Sequence, residues 1–223
     1  LTKNRLISRY ILCVLILGWG YVLAKPKYPF STEWFITISF SLLFGLIGII
    51  LQRSVQDYFA KKAGDVSLTV QATTFMHLFR SVDVIGLLCF PIFGVGWGNP
   101  TNSPKALTGS KTGQRIWILL SGSISNLLLA IILQFLIFPL ESFALPFAGY
   151  IALFSKINIY LFFISIFPIP PLNGWLIWKA IRKERVKIDK ESFFGEIILV
   201  ISMITYILPW IIESLSRGFM YWI

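Results

Sequence analysis

Apolar residues in this chain gather into long runs separated by short polar and basic stretches. Residues 7–24 form the first run, preceded by Lys3, Arg5 and Arg9, and they approach the ~20 residues of a membrane span. No small-residue cleavage site follows; Lys25-Pro26-Lys27-Tyr28-Pro29 does, so a retained helix is expected. Residues 34–51 contain no charge, and their helical run continues through the polar stretch 52–62 until Ala63-Gly64-Asp65 stops it. Val66, Leu68, Val70 and Ala72 then alternate with Ser67, Thr69, Gln71 and Thr73, the period of two expected of a half-buried strand. The apolar residues 84–97 are too few for a span and are interrupted by Pro91, Gly86, Gly94 and Gly96, which fits a re-entrant or interfacial segment. Residues 99–115 are polar and rich in proline and glycine, as a loop is.

Residues 116–140 make the longest run, with Ser121, Gly122 and Ser125 small enough to let a neighbouring helix approach closely. The run at 147–167 carries Lys156 and Asn158 and ends at Phe167-Pro168-Ile169-Pro170-Pro171-Leu172-Asn173-Gly174. Three prolines in four residues remove backbone donors, so a helix must break there. Broken backbone at membrane depth persists only where protein buries it or where it lines a wet cavity, which makes the polar Asn173 a candidate site residue. Residues 197–212 supply the last run.

The pattern therefore predicts an all-α polytopic membrane protein with about five transmembrane helices, a re-entrant segment and a short β-strand or hairpin. With 56% hydrophobic and 13% charged residues, and a mean hydropathy of +0.76, composition agrees. The net charge of +10 does not point to nucleic acid, because the basic residues flank apolar segments. That arrangement sets membrane orientation, and it places the basic loops 53–115 and 179–190 on the cytoplasmic or equivalent side. Cys13 and Cys89 both lie in apolar runs and are expected to pack as small hydrophobes. No linker or internal repeat divides the chain, so residues 1–223 are read as one membrane domain, with a core at about 34–178 and peripheral helices at 7–24 and 197–212.

Five pieces, in order, resemble the site-2 protease family of intramembrane zinc metalloproteases. Gly64-Asp65 is similar to the Gly-Asp after that family's zinc helix, and Asp83-Val84-Ile85-Gly86 to its Asp-Pro-Leu/Ile-Gly. Gly96-Trp97-Gly98-Asn99-Pro100 resembles a Gly-Trp-Ala-Lys-Pro element, and Gly122-Ser123-Ile124-Ser125-Asn126 resembles Gly-Pro-x-x-Asn. The stretch from Asn158 to Gly174 resembles Asn…Phe-Asn-Leu-x-Pro-x-Pro-Pro-Leu-Asp-Gly. The resemblance implies two histidines one helical turn apart and an aspartate holding zinc, with a glutamate beside the first histidine as general base.

The chain holds one histidine, so H-E-x-x-H is arithmetically impossible in this sequence. By the family's spacing, Gln52 and Gln56 stand at the histidine positions, Arg53 at the glutamate and Asn173 at the aspartate. Amides are poor zinc ligands, and a guanidinium cannot act as a base at ordinary pH. His77, Asp57, Asp65, Asp83 and Cys89 show no recognised ligand spacing, and no metal or cofactor is expected. The expectation is a hydrogen-bonded plug of Gln52, Arg53, Gln56 and Asn173, with Arg53 paired to Asp57 four residues on.

The resemblance also implies a partner groove, with Val66, Leu68 and Val70 as an edge strand and Asn126, Pro170 and Pro171 lining the same channel. The expected function is that of a non-proteolytic site-2-protease-like protein that binds or stabilises another integral membrane protein, as a subunit or assembly factor. Two alternatives stand beside it. One is an active intramembrane metalloprotease with unorthodox or partner-supplied ligands. The other is a small transporter or channel in which Lys156, Asn158 and the proline-rich break line a path.

Overall fold

The computed structural model describes residues 11, 13–15, 18–19, 31–65, 81–99, 111–142, 147–184 and 188–220. Among these residues all regular structure is helical. The expected strand at 66–73 lies outside the described residues, as does His77. The expected helix at 7–24 is described only at Ile11, residues 13–15, Gly18 and Trp19, all helical. The Trp19 indole N–H donates to the Ile204 carbonyl at 3.2 Å.

Helix α1, Thr32–Lys62, begins where the Ser31 hydroxyl accepts from the Trp34 backbone N–H at 3.2 Å, with Glu33 in the first turn. Lys61 and Lys62 lie in the last turn, and Gly64 follows at φ 85°. Acid at the start and base at the end both complement the helix dipole, and the left-handed glycine stops the run. The helix is unbroken for 31 residues, so an apolar half and a polar half share one rigid axis. Phe40 stacks near Tyr150 (4.4 Å) and Phe44 on Phe154 (4.6 Å). The pairs are four residues apart on both partners, so α1 runs parallel to α4, Ala148–Ile166.

Helix α2, Val84–Phe93, is capped by the Asp83 carboxylate, which accepts from the Gly86 N–H at 3.0 Å. It ends at Gly94 (φ 73°), and the chain then returns alongside its own helix. The return needs glycines. A Cβ on Gly86 would overlap the Trp97 carbonyl, and one on Gly96 the Gly86 carbonyl. The Asn99 N–H donates to the Ser81 carbonyl at 2.7 Å and closes the loop. Val95 and Trp97 are fully buried, so this segment is packed within the bundle, where the sequence allowed an interfacial position as well.

Helix α3, Thr112–Ser142, packs along α4 more extensively than any other pair. Ser155 donates to the Ala130 carbonyl at 3.0 Å and Ser165 to the Ser123 hydroxyl at 2.6 Å. Later residues of α4 meet earlier residues of α3, so the two are antiparallel. After α4 the chain turns through residues 167–172, with a cis bond between Pro170 and Pro171, into α5, Asn173–Ile181. Gly174 lies so close to the Ile166 and Phe167 carbonyls that no side chain fits.

The run at 197–212 is not one straight helix. It is divided between α6, Ile188–Ile204, and α7, Ile207–Met220, bent by 74° across Thr205 and Tyr206 (φ 60°). Pro209 supplies the reason, because in a continuous helix its ring would collide with the Thr205 carbonyl four residues back. In the first turn of a new helix its missing N–H costs nothing.

Three helices among the described residues are long and apolar enough to cross a membrane, Thr32–Lys62, Thr112–Ile137 and Ala148–Ile166, and the bent pair makes up to four. Leu128, Ile132 and Phe135 of α3 and Ile198 and Ile201 of α6 present large apolar side chains outward, as lipid contact requires. The chain is an integral membrane protein of helices. The five spans expected from hydropathy are not all among the described elements.

Candidate functional site

The polar half of α1 meets the break between α4 and α5 at one small cavity. Gln52, Arg53 and Gln56 line it from α1, and Pro171, Leu172 and Asn173 from the break. Ser165 closes it from α4, and Ser81, Trp97 and Asn99 from the α2 loop. Ile49, Leu161 and Ile164 share the wall, so the lining mixes polar and apolar groups, and the volume of about 20 Å³ is room for about one water.

Helical periodicity puts Gln52 and Gln56 on the same face of α1, one turn apart. Gly122 of α3 lets that face come close. A Cβ there would overlap the Gln52 carbonyl and stand 2.8 Å from the Gln52 and Gln56 Cγ atoms. With the helices this near, the Gln56 amide donates to the Leu119 carbonyl at 3.0 Å, and the Asn126 amide to Gln52 Oε1 at 3.2 Å. Arg53 Nε lies 3.0 and 3.1 Å from the two carboxylate oxygens of Asp57. Arg53 is 4% and Asp57 6% exposed. An ion pair this deep is held by geometry, since removing two charges from water costs as much as their attraction returns.

Gln52, Arg53, Gln56 and Asn173 therefore stand together. Asn126, expected beside Pro170 and Pro171 in a partner groove, is instead fully enclosed and bonded to Gln52. Pro171 borders the cavity, while the Pro170 carbonyl lies against Gly195 of α6, where no Cβ would fit. Val66, Leu68 and Val70 lie outside the described residues. Lys156 and Asn158 do not share a path, because Lys156 is exposed on the outside of α4 and Asn158 is fully buried.

Reading the sequence missed Ser81 and Ser165 as cavity residues, and no local pattern marks them. Trp97 and Asn99 had a signal, lying in the Gly-Trp-Gly-Asn-Pro piece. The Trp97 indole N–H and the Asn126 Oδ1 are buried without a hydrogen-bond partner among the described residues.

Zinc sites take imidazole, thiolate or carboxylate donors. This cavity offers carboxamides and a guanidinium, the Gln56 amide turned to a backbone carbonyl and Gln52 Oε1 already accepting. The guanidinium in the wall, itself held by Asp57, presents donors and no lone pair to a cation. These residues do not fit zinc. No group of three or more His, Cys, Asp or Glu among the described residues stands close enough to hold a metal ion.

No family model matches the chain, and no solved structure matches it. A protein of Bacillus subtilis (strain 168) named "Putative zinc metalloprotease YwhC" is 21% identical over 188 residues, covering 80% of this chain and 84% of that protein. The similarity supports a site-2-protease-like relationship for this membrane protein.

Proposed function

We propose that the protein is a site-2-protease-like membrane protein that has lost proteolysis and serves to bind or stabilise another integral membrane protein, as a subunit or assembly factor. The observation that carries this reading is the convergence of Gln52, Gln56 and Asn173 on one small cavity that is also lined by Arg53, whose guanidinium pairs with Asp57. In the family these positions would carry two histidines and an aspartate around a metal, and the glutamate beside the first histidine would activate its water. Amides in their place supply neither ligand nor base. A guanidinium carries only hydrogen-bond donors, so Arg53 cannot stand in for the base. What the scaffold keeps is a rigid bundle with a broken helix at its centre, a frame that holds a neighbour without cutting it.

Extraction of the full chain from its own membrane in a mild detergent tests both halves. The expected result is an assembly larger than one chain and its detergent belt, with no cleavage of a membrane-embedded peptide substrate above background. A lone chain that cleaves such a substrate in a chelator-sensitive manner would overturn the reading.

A further inference from the structure

Lys156 is the one charged residue of α4, and it is the ninth of 19 residues in that membrane-spanning helix. At 1.5 Å per residue it lies about 12 Å from the Ala148 end and about 15 Å from the Ile166 end. A lysine that deep ordinarily faces a protein interior or a carboxylate. Here the side chain is exposed on the outside of the bundle. Its ammonium lies 5.4 Å from the Tyr160 ring centroid. Tyr160 is four residues further along α4, so the side chain reaches away from the nearer helix end. A lysine stretching to lipid headgroups would point the other way, along the tilt of its own Cα–Cβ bond toward the amino terminus.

Apart from the Tyr160 ring, no group among the described residues answers the charge. Among the described residues no carboxylate pairs with Lys156, while Asp57 pairs with Arg53, Glu184 with Lys179 and Glu213 with Arg217. The surface around it is shaped for close approach. Gly149 and Ala152 precede Lys156 by seven and four residues, on the same face of α4. A Cβ on Gly149 would meet no atom within 4 Å. Small residues in such a row let a second helix backbone come near, which is how helices associate in lipid.

We infer that the Gly149–Ala152–Lys156 face of α4 docks a transmembrane helix of another protein that carries an aspartate or glutamate at mid-membrane depth, opposite Lys156. The inference rests on the partner-binding reading and names where and by what charge the partner is held. The small residues set the distance and the ammonium–carboxylate pair sets the register. In hydrocarbon neither charge is stable alone, so each selects for the other.

The test places a photoreactive phenylalanine analogue at Ala152 of the full chain in its own membrane and identifies the cross-linked peptide. The expected product is an apolar segment with an Asp or Glu within about two helical turns of the cross-link. Lys156→Met should lower the cross-link yield about tenfold or more, as loss of one partner of a desolvated charge pair does. Lys156→Glu should be restored by changing that partner carboxylate to lysine, which a variant that merely folds poorly would not be. Undiminished yield with Lys156→Met, cross-links to lipid alone, or a segment without an acidic residue would overturn the inference and leave the partner-binding reading standing. A chain that migrates alone in mild detergent, with no protein cross-link, would overturn both.

Discussion

Asp57→Leu should lower the unfolding midpoint of the detergent-solubilised protein by on the order of 10 °C. Asp57 is 6% exposed, and its carboxylate holds at 3.0 Å the Nε of Arg53, which lines the cavity. Taking away one partner of a buried ion pair costs about 3–5 kcal/mol, and in a chain of this length each kcal/mol shifts the midpoint by roughly 2–4 °C. Arg53→Met combined with Asp57→Leu should recover most of it, because the desolvation cost disappears with both charges. A thermal scan of the two single variants and the double variant measures the coupling. If the double variant were as unstable as the sum of the singles, the pair would not be the reason these residues are buried.

Gly122→Val has the second large effect. Valine gains only about 0.3–0.5 kcal/mol over glycine from helix propensity, so the sign is decided by space. A Cβ at Gly122 falls on the Gln52 carbonyl and 2.8 Å from two methylene carbons, before the valine methyls are counted. The helices α1 and α3 must separate. Overpacking costs about 1–3 kcal/mol, and the Gln56–Leu119 and Asn126–Gln52 hydrogen bonds, which depend on the close approach, carry about 1 kcal/mol each. A net loss of about 3 kcal/mol is expected, read as a lowered unfolding midpoint, with Gly122→Ala intermediate. An unchanged Gly122→Val protein would mean the two helices are not in contact at this level.

The close approach at Gly122 could be read from Ser121, Gly122 and Ser125 alone, because small residues on a membrane helix have few other uses. The Arg53–Asp57 pair was equally legible, since a spacing of four residues on a helix brings the side chains together. The meeting of Asn173 with Gln52 and Gln56 came from the order of the motif-like pieces, which periodicity could not supply. A sequence says that the Asn126 amide is near a break but not which way it faces; the short distance between α1 and α3 turns it inward to Gln52. The bend at Thr205 and Tyr206 was hidden by unbroken hydropathy on both sides. Pro209 was the available signal, and its reach back by four residues marks the break better than its own position does. Ser81 and Ser165 border the cavity only through the folding of the α2 loop and the α4 end, so no sequence pattern announces them.

The zinc content of the full chain, purified from its own membrane and measured by elemental analysis before and after equilibration with zinc and gel filtration, bears most directly on the claim that amides and a guanidinium occupy the metal position. The claim predicts zinc near background in both samples. Replacing Gln52 and Gln56 with histidine, Arg53 with glutamate and Asn173 with aspartate together should raise retained zinc toward one ion per chain, because the backbone already brings those four positions to one cavity. Equimolar zinc retained by the unaltered protein, and lost on Asn173→Ala, would contradict it.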